Sequence, residues 1–235
     1  MHLCIICSTF AEIYSLLTMK VINLSEQPSL LNQYLKELRS VDTQKDSMRF
    51  RRNLERIGEI MAYEISKHLN YKPNNVETPL GEAVVMMPCD DVVVATIFRA
   101  GIPFHQGFLN YFDRAENGFI SAYRHHSKDG SFKIKMEYVA SPDLTGKTLL
   151  LVDPMLATGQ SLVVCYEALV ERCGEPAVLH AASVIGSEQG VEYAVAHLPR
   201  NAHVWCASVD EELTVHSYIV PGLGDAGDLA YGKKL

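Results

Sequence analysis

Residues 149–161 read LLLVDPMLATGQS, and this stretch is the most informative part of the sequence about the fold. Its four leading apolar residues predict a strand that is buried on both faces, as in parallel sheets. Pro154 restricts Asp153 to an extended conformation and ends the strand. The small residues 157–159 then predict a tight turn that opens a helix. We therefore expect Asp153 at the carboxyl end of a strand, where open α/β sheets bind ligands.

The turn that follows Asp153 has the composition of a phosphate site. Its backbone N–H groups and the hydroxyls of Thr158 and Ser161 can surround one phosphate monoester, whose charge the positive end of the next helix favours. An ionised Asp153 only accepts hydrogen bonds, so it suits sugar hydroxyls. Together these groups indicate a ribose 5-phosphate site. In the alternative interpretation, Asp153 merely caps a turn.

Strands and helices alternate on both sides of this stretch. The predicted helices cover 28–39, 45–69, 103–112, 161–173 and 187–197. The predicted strands cover 92–98, 118–140, 148–152, 178–185 and 203–209, with a loop or hairpin tip at the polar HHSKDGS within 118–140. This order predicts an α/β fold with a mostly parallel twisted sheet and helices on both faces. Residues 19–235 show no internal linker and are expected to form a single domain.

The composition excludes several classes of protein. The 235 residues include 21 Lys and Arg against 28 Asp and Glu, a formal net charge of −7, and 48% are hydrophobic. Collagen-like and disordered chains differ from this composition, and the acidic balance argues against a nucleic-acid partner. The six cysteines are scattered, which is typical of a reduced, cytoplasmic protein.

The first 18 residues, MHLCIICSTFAEIYSLLT, differ from the rest of the chain. They lack the basic start and cleavage site of a secretory signal, and Glu12 leaves their apolar part too short to span a bilayer, so no membrane partner is expected. Cys4 and Cys7 have no second pair of ligands for zinc. We expect Met19 to be the natural start and residues 1–18 to be a non-native or disordered extension.

Three segments together resemble one known family. Residues 153–161 resemble the phosphoribosyl pyrophosphate loop of type I phosphoribosyltransferases, in the form found in uracil phosphoribosyltransferases. Residues 98–102, FRAGI, resemble the turn that holds pyrophosphate in that family, and residues 218–228, YIVPGLGDAGD, resemble its uracil loop. The resemblance implies the type I phosphoribosyltransferase fold, with a small hood or arm built from N-terminal helices, a β-hairpin and the C-terminal loop.

The resemblance also implies a reaction and its residues. The 5-phosphoribosyl group of phosphoribosyl pyrophosphate would pass to uracil, giving UMP and pyrophosphate in pyrimidine salvage, with Mg²⁺ as cofactor. The residues implied to bind phosphoribosyl pyrophosphate are Arg99, Ala100, Gly101, Arg124, Asp153, Pro154, Met155, Leu156, Ala157, Thr158, Gly159, Gln160, Ser161 and Asp225. The residues implied to bind uracil are Ile219, Gly224, Asp225 and Ala226.

Three of these residues are implied to act in catalysis, namely Asp153, Asp225 and Arg99, with Asp225 contacting Mg²⁺ indirectly. The family resemblance further suggests a homodimer or higher homo-oligomer and GTP as an effector. The general base that would take the proton from N1 of uracil stays open.

Two alternatives and several departures from the family pattern remain. A non-catalytic nucleotide sensor or RNA-binding regulator would show a damaged catalytic loop or a basic face, and transfer to another base would need a different uracil loop. Gln160 stands where the family usually has Gly, and Leu229 stands where it often has Arg. Residues 230–231 are Ala-Tyr where the family usually has Ile or Val followed by Phe. Residues 125–137 also depart from the family and are expected to form a flap or a dimer arm.

Overall fold

The structure, a computed structural model, describes residues 20–126 and 132–234. At residues 20, 122–126 and 132–136 it describes the backbone alone. The expected extension, residues 1–18, lies outside the described residues, as does the tip of the segment expected to form a flap or a dimer arm, residues 127–131. Both expectations stay predictions.

One large sheet forms the centre of the molecule. Its strands are β1 (Lys20–Asn23), β4 (Val92–Ile97), β5 (Glu116–His126), β6 (Phe132–Ala140), β7 (Thr148–Val152), β8 (Met155–Leu156), β9 (Val178–Ser187) and β10 (Ala202–Asp210). The order across the sheet is β1-β10-β9-β7-β4-β5-β6, and the short β8 also pairs with β9. All pairs are parallel except β5 with β6. The predicted α/β fold with a mostly parallel sheet is confirmed.

Helices cover both faces of this sheet. They are α1 (Leu31–Arg39), α2 (Ser47–Ser66), α3 (Gly101–Leu109), α4 (Gln160–Cys173), α5 (Glu188–His197) and α6 (Ala226–Tyr231), preceded by a short 3-10 turn at Leu24–Glu26. The apolar side chains of α1, α2 and α3 pack with Val94 and Leu150 on one face. Those of α4 and α5 pack with Val93 and Leu149 on the other. Successive residues of a strand therefore point into opposite layers of the core, which is why the strand sequences are continuously apolar.

The first and last residues of helix α2 differ slightly from the predicted ones. Asp46 accepts the N–H of Arg49 at 3.0 Å and caps the start of the helix, two residues after the predicted start. The predicted apolar face is buried from Phe50 to Ile65, whereas the helix ends at Ser66, before the predicted Leu69. Elsewhere, α1 starts three residues later than predicted, and α3 starts two residues earlier.

Two antiparallel pairs lie outside the main sheet. The hairpin of β2 (Tyr71–Thr78) and β3 (Gly81–Pro88) is almost entirely exposed, although several of its side chains are apolar. Strands β11 (Glu212–Leu213) and β12 (Ile219–Val220) form the second pair, near the C-terminus. Whether these parts form the expected hood stays a prediction.

Two further properties concern the described part of the chain. Among its helices, none is both long and apolar enough to cross a membrane. Its four cysteines, Cys89, Cys165, Cys173 and Cys206, form no disulfide bond with one another.

Candidate active site

The first part of the candidate site is the turn that joins strand β7 to helix α4. The carbonyl of Pro154 accepts the N–H groups of Val184 and Ile185 in strand β9, at 3.1 and 3.0 Å. Strand β9 therefore still holds the chain after β7 has ended, and the short strand β8 continues this pairing. The predicted site stretch 153–161 is anchored to the sheet at its start.

Helix α5 supports this turn from behind. The hydroxyl of Ser187 donates to the carbonyl of Ala157 at 2.6 Å and accepts the N–H of Gly190 at 2.9 Å. A Cβ at Gly190 would lie 2.3 Å from the Ala157 oxygen and 2.4 Å from the Leu156 oxygen, so this close approach requires glycine. The turn is thus a fixed loop between the sheet and α5.

The open side of the turn can accept an anion. Helix α4 begins directly after Gly159, and at Gly159 no side chain caps it within the described residues. Because the first N–H groups of a helix have no partner inside the helix, they are available to a phosphate. Gln160, which departs from the family pattern, still offers its backbone N–H. A cavity of about 30 Å³ lies here, lined by Met155, Leu156, Ala157, Thr158, Gly159, Ser161 and Leu162.

Asp153 lies half-buried at the entrance of this turn. Its Oδ1 accepts the N–H of Met155 at 3.3 Å, so the carboxylate does cap the turn, as in the alternative interpretation. A carboxylate has two oxygens and about four acceptor positions, so capping does not exhaust its capacity. Burial, with a smaller contribution from the charge of Asp153, raises the pKa of the Cys165 thiol to about 12. A thiol with this raised pKa is in its protonated, weakly nucleophilic form at neutral pH.

The second part of the site is the turn after strand β4. The hydroxyl of Thr96 donates to the carbonyl of Val152 at 3.3 Å, which ties the end of β4 to the end of β7. Helix α3 starts against this contact, since a Cβ at Gly101 would lie 2.1 Å from the Thr96 hydroxyl and 3.5 Å from the Val152 oxygen. The predicted pyrophosphate turn, Arg99 to Gly101, therefore lies beside the strand end that carries Asp153.

The third part is the C-terminal segment that resembles a uracil loop. Asp225 accepts the N–H of Asp228 at 2.9 Å and caps helix α6. A Cβ at Gly227 would lie 3.2 Å from Asp225 Oδ1 and 3.6 Å from Arg99 Nη2, so the two side chains flank this glycine. Among the residues implied to bind uracil, Ile219 and Ala226 are buried and Gly224 is exposed.

Arg99 joins the second part of the site to the third. Its Nη2 donates to Asp228 Oδ1 at 3.1 Å, and its Nη1 donates to the carbonyl of Gly232 at 3.3 Å. The structure thus brings together Arg99 and Asp225, which the sequence singled out, and adds Asp228, to which it gave no role. Arg124 lies in strand β5, and its side chain is outside the described part of the structure.

The donor set suits Mg²⁺ only in part. Asp225 offers carboxylate oxygen, the ligand type that Mg²⁺ prefers, and its side chain is not fully buried. No group of three or more His, Cys, Asp or Glu side chains within residues 20–126 and 132–234 could hold a metal ion. These residues fit an ion that is held mainly by substrate oxygens, which is the usual way in which proteins bind Mg²⁺ with phosphates.

Comparisons with known proteins show what this chain is similar to. The family model described as uracil phosphoribosyltransferase matches residues 25–233. A Porphyromonas gingivalis protein named uracil phosphoribosyltransferase is 55% identical over 217 residues, which cover 92% of this chain and 100% of that protein. A protein of the same name from Methanothermobacter thermautotrophicus is 41% identical over 190 residues, which cover 80% of this chain and 86% of that protein.

A solved structure is similar along most of its length. The AQ2163 protein from Aquifex aeolicus superposes with a TM-score of 0.80 at 26% identity, covering 90% of this chain and 98% of that one. The matched family region contains all three parts of the candidate site. This chain belongs to the uracil phosphoribosyltransferase family.

Proposed function

We propose that this protein transfers the 5-phosphoribosyl group of phosphoribosyl pyrophosphate to uracil, giving UMP and pyrophosphate in pyrimidine salvage. Family membership supports the choice of substrates. The observation that carries the proposal is the bridge from Arg99 to Asp228, because it joins a pyrophosphate turn to a base loop beside the phosphate turn. Residues 19–235 would then act as one catalytic domain.

The phosphoribosyl part of the substrate fits the β7–α4 turn. The 5-phosphate would accept hydrogen bonds from the backbone N–H groups of residues 157–161 and from the hydroxyls of Thr158 and Ser161. Asp153 would accept hydrogen bonds from the ribose hydroxyls. The fixed position of the turn against strand β9 and helix α5 supports this assignment, since a rigid cradle orients the sugar at little entropic cost.

Arg99 and the start of helix α3 would receive the leaving group. Cleavage at C1 of ribose passes through an oxocarbenium-like state while negative charge develops on pyrophosphate. A guanidinium beside a helix N-terminus stabilises that charge, and Arg124 would supply a second guanidinium. Mg²⁺, when bound with pyrophosphate near Asp225, would neutralise further charge on the leaving group.

The C-terminal loop would recognise the base through its backbone. The N–H and C=O groups of Ile219, Gly224 and Ala226 can match the lactam donor and acceptor pattern of uracil. Cytosine presents a different pattern on one edge, so it would leave buried groups without partners, which is costly. This reasoning favours uracil over other pyrimidines.

The test is an assay with single bases. Folded protein is incubated with Mg²⁺, phosphoribosyl pyrophosphate and either uracil, cytosine or hypoxanthine, and nucleotides are separated by chromatography. We expect UMP from uracil and little product from the other bases. Folded protein that makes no UMP but still binds phosphoribosyl pyrophosphate would contradict the proposal and favour a non-catalytic sensor. Adding GTP to the same assay tests the expected effector.

We also propose that the chain forms a homodimer or higher homo-oligomer in the cytoplasm. The exposed β2–β3 hairpin supports self-association, because Val84 and Met86 are 69% and 55% exposed on a two-stranded sheet that no other described part of the chain covers. The four cysteines of the described residues form no disulfide bond with one another, which favours a reducing compartment.

A further inference from the structure

One glycine in the proposed base loop is held by charged side chains from two distant elements. The N–H of Gly222 donates to Asp210 Oδ2 at 2.8 Å, and its carbonyl accepts from Arg39 Nη1 at 3.0 Å. Arg39 and Asp210 also pair with each other through two contacts of 2.7 Å. Both polar groups of Gly222 are therefore bonded to one ion pair.

This ion pair is well placed to hold the loop rigidly. Asp210 is only 6% exposed and is the last residue of strand β10, while Arg39 is the last residue of helix α1. Arg39 also donates to the hydroxyl of Ser208 at 3.1 Å. Charge-assisted bidentate pairs have narrow geometry, so the contact ties the loop, the helix and the strand to one position.

Gly222 in turn packs against the backbone of Ile219. Its φ of +55° lies in the left-handed region, and a Cβ there would lie 2.1 Å from the Ile219 carbonyl oxygen. Gly222 is thus packed directly onto the carbonyl of Ile219, a group that the proposed function uses to recognise uracil. Ile219 is otherwise held by pairing of β12 with Leu213 in β11.

We propose that Arg39 and Asp210 are positioning residues that set the orientation of the Ile219 carbonyl toward the base. The inference rests on the proposed function and extends it to residues that lie outside the three motifs. Loss of the pair weakens recognition of uracil while the turn that holds phosphoribosyl pyrophosphate keeps its own anchors, in strand β9 and helix α5. A purely structural ion pair would affect both substrates alike.

The chain offers a matched control on the same helix. Glu37 of α1 accepts two hydrogen bonds from Arg49, at 2.8 and 2.7 Å, and one from Asn53. These partners belong to helix α2, and none of them belongs to the base loop. Glu37→Gln therefore disturbs a bidentate pair of α1 without touching Gly222.

The experiment measures KM for each substrate in Asp210→Asn, Arg39→Lys and Glu37→Gln. In Asp210→Asn we expect KM for uracil to rise about 10- to 100-fold, as for a misplaced recognition group, and KM for phosphoribosyl pyrophosphate to change less than about twofold. Arg39→Lys gives a smaller rise in the same direction, because one ammonium cannot reproduce the fork of contacts. Glu37→Gln leaves both values within about twofold of wild type.

The outcomes separate the two proposals. Wild-type protein that makes no UMP overturns the proposed function, and with it this inference. If the wild type makes UMP, the positioning role alone is overturned when Asp210→Asn changes both KM values in parallel or changes neither. It is also overturned when Glu37→Gln raises KM for uracil but not KM for phosphoribosyl pyrophosphate. If circular dichroism shows that Asp210→Asn is unfolded, Arg39→Lys decides by the same criterion.

Discussion

Asp153 directly follows strand β7, caps the following turn through the N–H of Met155 and is proposed to bind ribose hydroxyls. Asp153→Asn keeps an oxygen for the Met155 N–H but loses the negative charge and part of the acceptor capacity. We therefore expect turnover to fall about 10²- to 10³-fold with little change in melting temperature. Steady-state UMP formation and thermal unfolding check both expectations.

Asp143 provides the control for this substitution. Its Oδ1 accepts the N–H of Thr145 at 3.0 Å, so it caps an exposed turn with the same spacing of two residues. Asp143→Asn should leave turnover unchanged. Near-normal turnover in Asp153→Asn, or equal losses in both variants, would contradict the proposed role of Asp153.

The residues of the site differ in how far sequence alone could predict them. Asp153 was predictable because its signals are local: an apolar run before it, Pro154 after it, and small residues at the turn. Arg39 and Asp210 carry no such signal, because 171 residues separate them and only the fold brings them together. Asp228 lies within the recognised C-terminal segment, but its partner Arg99 is 129 residues away.

At the scale of elements, helix α5 determines where the phosphate turn lies. Gly190→Ala would place a methyl group 2.3 Å from the Ala157 oxygen, so either the helix or the turn must move. We expect a loss of about 1–3 kcal/mol in the free energy of unfolding, typical of overpacking, and a higher KM for phosphoribosyl pyrophosphate. Chemical denaturation and steady-state kinetics measure the two effects.

The neighbouring Gln189 is exposed on the same helix, so Gln189→Ala serves as the control and should leave both quantities near wild type. An unchanged KM for phosphoribosyl pyrophosphate in Gly190→Ala would mean that α5 does not position the turn.

Strand β9 carries a buried histidine whose titration affects stability. His180 accepts the N–H of Trp205 at 3.1 Å, and burial, with smaller contributions from His203 and His68, lowers its pKa to about 3. Below pH 6.5 the unfolded chain binds a proton that the folded chain binds only near pH 3, so the free energy of unfolding falls as the pH falls. The slope is about 1.4 kcal/mol per pH unit, or about 2 kcal/mol between pH 6.5 and 5.

His180→Gln removes this titrating group and should reduce the pH dependence by that amount, whatever its effect on stability at pH 7. Urea denaturation of both proteins at several pH values between 7 and 5 tests this. Parallel pH profiles for the two proteins would show that His180 does not contribute.

Elements buried on both faces were easier to predict than exposed ones. Strand β7 has the predicted bounds because residues 149–152 form a continuous apolar run. The structure buries these residues and Thr148 before them. The position of the β2–β3 hairpin in the chain was not predicted, since residues 71–78 read YKPNNVET and remain exposed on both faces. Without a buried face, a strand has no alternating pattern to detect.

At the scale of the whole molecule, three arginines hold the C-terminal segment from three directions. Arg39 binds Gly222, Arg51 of helix α2 donates to the Ala230 carbonyl at 2.6 Å, and Arg99 binds Asp228. Arg39 and Arg99 are also paired with the carboxylates of Asp210 and Asp228, so these arginines hold the segment in place without giving it a net positive charge.

The β2–β3 hairpin provides the last prediction, on assembly. Val84 and Met86 alternate along strand β3, so they share one face, and both are largely exposed. If this face joins two chains, sedimentation velocity should give the wild type a mass near twice 26.2 kDa or a higher multiple, whereas Val84→Lys with Met86→Lys approaches one chain. Val215→Lys, at an apolar position that is 95% exposed and lies outside the hairpin, should keep the wild-type mass. A monomeric wild type, or an unchanged mass in the double variant, would contradict assembly through this hairpin.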